Sequence, residues 1–219
     1  ETESLKQIVF ETLNFDVPLV AVENNIYSLE LFHGPTLAFK DVGARFMSRL
    51  LGYFIKKQDL KDVNVLVATS GDTGSAVANG FLGVEGIKVF VLYPKDKVSK
   101  IQECQFTTLG KNITALEIDG TFDDCQRLVK TAFLDADLNK KLQLTSANSI
   151  NVARFLPQSF YYFYAYAQLK KMGKDLDDVV ICVPSGNFGN ITAGLIAKKM
   201  GLPVKRFIAA NNKNDIFLQ

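Results

Sequence analysis

From Val63 onward the chain alternates short, near-continuously apolar runs rich in β-branched residues with amphipathic stretches, and glycine, proline or small polar residues mark each join. Strands that are apolar on both faces and separated by helices belong to a parallel sheet with helical crossovers. Strands are expected at 64–68, 88–93, 113–118, 179–183 and 205–210, and helices at 73–82, 99–109, 122–137, 152–172 and 190–200. Thr121 with Asp124 three residues later is a capping box for the third of these helices. Upstream, 26–32 reads as a strand with Ser28 and Glu30 on a wetter face, His33-Gly34-Pro35 as a turn, and 39–57 as a helix. The fold class is therefore α/β. With no internal repeat and no Gly/Ser-rich linker, any second domain must be made by chain crossings.

Composition narrows the functions. Of the 219 residues, 47% are hydrophobic and 22% charged, so the chain is globular, and at this length about 70–75% of the unfolded surface can be buried without disulfide or metal staples. Lys and Arg number 25 against 23 Asp and Glu, with no block of one sign, so neither a nucleic acid nor an anionic membrane is an expected partner. The uncharged aromatic stretch 155–169 is shorter than the roughly 20 residues of a bilayer span and contains Pro157; it reads as a buried helix. No signal peptide is expected from the opening residues. Cys104, Cys125 and Cys182 are odd in number and far apart, which suits neither a disulfide framework nor a zinc site and points to a reducing, cytoplasmic compartment. Cys125 lies in a charged amphipathic helix and Cys182 in an expected buried strand, neither the setting of a reactive thiol. His33 is the only histidine, so no metal site is expected. A start at Glu1 rather than Met and an end at Gln219 are expected of a piece of a longer chain.

Three strand-to-helix joins concentrate the polar chemistry. Two are Thr69-Ser70-Gly71-Asp72-Thr73-Gly74 and Ser185-Gly186-Asn187-Phe188-Gly189-Asn190. There glycine permits a tight turn, and the opening helix contributes roughly half a positive charge, so an anion can be held without a lysine. Neither join is a Walker loop or a dinucleotide fingerprint. Small residues also simply suit tight turns, but two such loops in one parallel sheet would open on the same side, where ligands collect.

The third join, Thr145 to Arg154, offers Asn148, Ser149 and Asn151 ahead of its arginine. If a helix begins near Asn151, Arg154 opposes its dipole by about 0.3–1 kcal/mol unless an anion is near; the alternative is a solvated arginine beside a capped helix. Lys40 raises the same question at the start of its helix. An amine near the positive end of a helix and beside an aromatic wall has its charged form disfavoured, as a nucleophilic lysine requires. The plain alternative is a surface lysine paired with Asp41. The tyrosines and phenylalanines of 160–166 surround a helix and are expected mostly in the core.

Four motifs bring these residues together: Leu31-Phe32-His33-Gly34-Pro35-Thr36-Leu37-Ala38-Phe39-Lys40-Asp41, Ala68-Thr69-Ser70-Gly71-Asp72-Thr73-Gly74, Ser146-Ala147-Asn148-Ser149-Ile150-Asn151 with Arg154, and Val183-Pro184-Ser185-Gly186-Asn187-Phe188-Gly189. In this order the sequence resembles the threonine synthase family, pyridoxal-phosphate enzymes of the tryptophan-synthase-β-like fold. The resemblance implies that Lys40 forms the Schiff base with pyridoxal 5'-phosphate and then shuttles protons. It also implies that Ser185, Gly186, Asn187, Phe188, Gly189 and Asn190 hold the cofactor phosphate, and that Asp72 stands near the cofactor's phenolic oxygen. Thr69, Ser70 and Thr73 in one loop, with Asn148, Ser149 and Arg154 in another, would then bind the carboxylate and phosphate of O-phospho-L-homoserine. The product would be L-threonine, with phosphate released.

The family's members are longer, so the resemblance implies a central portion. Residues 1–38 and 159–219 would be pieces of a larger domain, and 39–158 a small mobile one. Two alternatives share the same residues: a phospho-lyase of the family yielding 2-oxobutyrate, and a non-catalytic piece that binds anions.

Overall fold

The computed structural model describes residues 1–60, 62–184 and 186–213. In chain order its elements are α1 (Thr2–Thr12), β1 (Leu19–Glu23), β2 (Ile26–Leu29), α2 (Lys40–Gln58), β3 (Val63–Ala68), α3 (Asp72–Phe81), β4 (Ile87–Pro94), α4 (Lys100–Thr107), β5 (Ile113–Ile118), α5 (Phe122–Leu134), α6 (Ala136–Lys141), β6 (Gln143–Ser146), α7 (Val152–Phe155), a 3-10 turn (Leu156–Gln158), α8 (Ser159–Lys171), β7 (Val180–Pro184), α9 (Gly189–Lys199) and β8 (Arg206–Ala210). Contacts divide the chain into two units: Glu1–Asp16 with Leu31–Arg154, and Val17–Glu30 with the described chain from Phe155 onward.

The first unit is built on a four-stranded parallel sheet in the order β5-β4-β3-β6. Alternation along the two central strands assigns their faces. Val63, Val65 and Val67 of β3 and Ile87, Val89 and Val91 of β4 pack with Ala44 and Met47 of α2, Val77 and Phe81 of α3 and Phe106 of α4. The intervening Ala68 and Leu92 pack with Cys125 and Val129 of α5. Covered on both sides, β3 is apolar at every position but the buried Asn64, which is why it was legible as a strand; the Asn64 amide donates to Asp62 O at 2.7 Å. Segment 1–16 belongs to this unit, whereas the expected division put 1–38 with the larger domain. The reason is Arg45: its guanidinium donates to the carbonyls of Glu11 (2.7 Å) and Thr12 (3.2 Å) and to Asn14 Oδ1 (2.7 Å), tying α1 to α2.

Two expected helices are broken. Asp135 has extended backbone and accepts the amides of Asp137 and Leu138, ending α5 and capping α6. Pro157 interrupts the expected 152–172 helix, leaving α7, the 3-10 turn and α8. The Thr121–Asp124 capping box is present. Strand β6 is too polar and too short to stand out in the sequence, as an edge strand permits.

In the second unit β1 and β2 form an antiparallel hairpin, with Asn25 at φ 59° in its turn. The Gln168 amide of α8 brackets its start, donating to Val17 O and accepting from Leu19 N, both at 2.9 Å. β7 and β8 pair in parallel. Cys182, expected buried, is exposed, because among the described residues this sheet has only two strands. Among the described residues no helix is long and apolar enough to cross a membrane.

Candidate active site

Lys40 is the first residue of α2, and the turn before it is clamped by the residue after it. Buried Asp41 accepts from the Thr36 amide at 2.9 Å and the Thr36 hydroxyl at 2.5 Å, and Leu37 N closes the turn onto Gly34 O at 3.0 Å. Burial pushes the Asp41 carboxyl up and these hydrogen bonds partly counter it. Asp41 therefore holds the Gly34–Leu37 turn instead of pairing with Lys40.

The half-buried Lys40 amine donates to Thr73 Oγ1 at 3.0 Å, and Nζ lies 5.8 Å from the centroid of the Phe39 ring. Burial lowers its pKa, the nearby Asp72 charge opposes that, and Arg154 reinforces it. The geometry thus joins Lys40 to the second motif through Thr73.

In the 69–74 loop the buried Thr69 is an internal strut. Its hydroxyl accepts from Gly71 N (3.0 Å) and Gly74 N (2.8 Å). Expected to meet a substrate, it spends its hydroxyl on the backbone of its own loop. Gly71 has φ 148°, and a Cβ there would fall 2.5 Å from Gln102 Oε1, so only glycine fits. Ser70 and Asp72 are exposed at the rim and Thr73 is half-buried. Gln102 of α4 donates through Nε2 to Asp72 Oδ1. Sequence reasoning missed this residue; the only signal was its place three residues after Ser99, the N-cap of α4.

The third loop is also internally braced. Asn148 donates to Ala68 O at 2.8 Å and accepts from Ala68 N at 3.2 Å, so its amide extends the β3–β6 pairing by one residue. Asn151 donates to Ser146 O (2.8 Å) and accepts from Ala153 N (3.0 Å). Arg154 is 1% exposed and donates to Ala147 O at 2.5 Å. Its expected conflict with a helix dipole does not arise, since α7 has four residues, and the anion that acts on it is Asp41. Burial nevertheless pushes the guanidinium down to about 10. Gly43, one turn after Lys40, lets α2 approach, for a Cβ there would lie 2.3 Å from Arg154 O. Ser149 is half-buried in the same loop.

In the second unit, the fourth motif precedes α9. Ser185 lies outside the described residues. Gly186, Asn187 and Phe188 are exposed, and Phe188 sits at the N-cap in the left-handed conformation (φ 64°) without a side-chain cap. Asn190 braces the loop by donating to Pro184 O at 3.0 Å, and Tyr162 Oη donates to Asn190 O at 2.6 Å. Burial pushes the Tyr162 hydroxyl up to about 12, so it stays a donor.

This arrangement can be set beside known proteins. Residues 13–218 match the family model described as pyridoxal-phosphate dependent enzyme. The chain belongs to that family. It is 56% identical over 97% of its length to threonine synthase of Haemophilus influenzae and 54% identical over 97% to that of Escherichia coli, spanning 49% of each relative. Among solved structures it resembles threonine synthase from Escherichia coli (51% identity, TM-score 0.88, 98% of this chain and 49% of that one). It also resembles the pyridoxal-phosphate-bound threonine synthase from Brucella melitensis (42% identity, TM-score 0.89, 98% of this chain and 47% of that one). The chain thus spans about half the length of the relatives it matches.

Each unit, taken by itself, carries a feature that suits part of the family's cofactor. Pyridoxal phosphate needs an amine that can lose its proton and a seat for a phosphate. The first unit supplies an amine whose charged form is disfavoured by burial. The second has an exposed glycine-containing turn ahead of an 11-residue helix that has no side-chain cap among the described residues.

Proposed function

We propose that this protein is a threonine synthase, acting on O-phospho-L-homoserine and water to give L-threonine and phosphate. The half-buried Lys40 amine, held on Thr73 with its proton affinity lowered, carries the reading, and the identity to the threonine synthases supports it. Pyridoxal phosphate, when bound, supplies an aldehyde for an amine and an electron sink for carbanions. Lys40 Nζ then takes the proton from the substrate's Cα and returns protons along the carbon chain. Thr73 Oγ1 orients that amine, and Asp72 tempers how readily it gives up a proton while also facing the cofactor.

Gly186, Asn187, Phe188 and Gly189 present the turn for the cofactor phosphate, with Ser185 and Asn190 at its ends. Ser70, Thr73 and Ser149 are the hydroxyls proposed to meet the substrate's anionic groups. Thr69, Asn148 and Arg154 act behind them by fixing the loops. In this proposal the unit of 1–16 and 31–154 is the small mobile domain, and the compartment is the cytoplasm, in keeping with free Cys104, Cys125 and Cys182.

The test is product analysis on the full-length protein with O-phospho-L-homoserine. Threonine and phosphate in equal amounts are expected. Release of 2-oxobutyrate without threonine would replace the synthase reading with the phospho-lyase one, and binding without turnover would replace it with a non-catalytic anion binder.

A further inference from the structure

The turn just ahead of α2 adopts a conformation that its sequence resists. Leu37 N donates to Gly34 O at 3.0 Å, and Leu37 sits at φ 58°, in the left-handed region that a residue with a Cβ disfavours. Its side chain is 69% exposed, so burial of that side chain does not offset the cost. The group that grips the turn is the Asp41 carboxylate. Oδ2 accepts from the Thr36 amide at 2.9 Å, Oδ1 accepts from the Thr36 hydroxyl at 2.5 Å, and a Cβ on Gly34 would run into Oδ2. Thr36 and Asp41 are both buried.

The clamped segment encloses Lys40. Asp41 is the second residue of α2, a helix whose N-terminus has no side-chain cap, and it spends both carboxylate oxygens on the turn behind it. Asp41 N also donates to Ala38 O at 3.0 Å, so the backbone from Thr36 to Asp41 is closed on itself with Lys40 inside. At its far end the Lys40 side chain rests on Thr73 Oγ1 at 3.0 Å. The backbone that carries the amine is thus fixed through Thr36. Asp41 acts by charge on Arg45 and Arg154 as well, so its grip and its charge are separable roles.

We propose that Asp41 is a positioning residue for the reaction: by gripping Thr36 with both carboxylate oxygens it holds the left-handed turn at Leu37, and with it the start of α2, so that Lys40 is presented in one orientation. Without the grip the turn relaxes toward negative φ and the backbone of the lysine moves with it. This rests on the reading of Lys40 as the acting amine and extends it to the residues that aim that amine.

The experiment uses variants of the full-length protein. Asp41→Ala removes the grip. Asp41→Asn removes the charge but keeps the grip, its oxygen accepting from the Thr36 amide and its NH2 donating to the Thr36 hydroxyl. Hydrogen exchange of the cofactor-free protein, followed by mass spectrometry, reads the turn. The peptide containing Thr36 and Leu37 should exchange about tenfold faster in Asp41→Ala and near the parent rate in Asp41→Asn. Turnover reads the positioning: kcat should fall about 10–100-fold in Asp41→Ala with KM changed far less, and Asp41→Asn should retain most of it. Adding Leu37→Gly to Asp41→Ala should restore part of kcat, because glycine holds a positive φ without strain. Thr36→Val, which loses only the hydroxyl, should move both readouts in the same direction by less, and it stands in should Asp41→Ala fail to fold. Unchanged exchange in Asp41→Ala, a kcat loss in Asp41→Asn as large as in Asp41→Ala, or no rescue by Leu37→Gly overturns the proposal. Borohydride reduction of the parent protein with pyridoxal phosphate separates the two levels. If exchange behaves as expected but Lys40 takes no pyridoxyl group, Asp41 holds the turn and the assigned role of Lys40 fails.

Discussion

Gly43→Ala and Gly52→Ala lie on the same helix and should move stability in different directions. In a helix interior, glycine to alanine stabilises by up to about 1 kcal/mol when nothing obstructs the methyl group. At Gly52 the new Cβ would meet Val84 Cγ1 at 3.2 Å, the end of a side chain that can shift by a few tenths of an ångström. At Gly43 it would meet the backbone carbonyl oxygen of Arg154 at 2.3 Å, well inside the 3.0 Å that real Cβ atoms keep, with Arg154 itself 1% exposed and fixed on Ala147 O. Backbone braced in this way cannot yield cheaply, and overpacking of this kind typically costs about 1–3 kcal/mol.

Net of the helix gain, Gly43→Ala should destabilise by up to about 2 kcal/mol, while Gly52→Ala should fall between neutral and slightly stabilising. For a chain of this size about 2–4 °C accompanies each kcal/mol, so thermal unfolding followed by circular dichroism resolves the pair. Gly43→Ala should also disturb Lys40, one helical turn away, whereas Gly52→Ala should not. A Gly43→Ala protein as stable as the Gly52→Ala protein would refute the close packing of α2 on Arg154.

Three further outcomes are expected. Asn148→Ala strands the amide and carbonyl of Ala68 and should cost about 1–3 kcal/mol in denaturant unfolding, because both halves of the side-chain amide are used there. Tyr162→Phe removes the hydroxyl that donates to Asn190 O and should cost about 0.5–1.5 kcal/mol while weakening the affinity for pyridoxal phosphate measured by fluorescence titration. The third concerns pH. Burial depresses the folded-state pKa of Lys40 below its ordinary 10.5, so the unfolded chain binds more protons and stability rises with pH between the folded midpoint and about 10.5. Lys40→Met should remove that rise, as urea unfolding from pH 7 to 10.5 would report.

The parallel sheet was legible because β3 and β4 are largely buried and carry near-continuous apolar runs, each with a single polar interruption, Asn64 in one and Lys88 in the other. What escaped were elements whose stability comes from partners distant in sequence. Strand β6 is polar and is held by pairing with β3 and by Asn148 on Ala68. Helix α1 is bound through Arg45, a charged residue whose periodicity suggests solvent. The site showed the same division. Lys40 announced itself by motif, but the motif could not say that Asp41 belongs to the Thr36 turn, or that Thr69 and Asn148 spend their polar atoms on the backbone. Gln102 was illegible because its meaning lies in the placement of α4 over the start of α3.

The central claim is that one amine performs the proton chemistry, and selective labelling tests it most directly. The full-length protein is incubated with pyridoxal phosphate, reduced with borohydride, digested and mapped. Lys56, Lys57 and Lys198 serve as controls, since they lie in the last turns of α2 and α9, outside the four motifs. The pyridoxyl group should appear on the peptide containing Lys40, and Lys40→Ala should abolish both label and turnover. Selective labelling of another lysine, with Lys40→Ala still active, would contradict the site and the chemistry assigned to it.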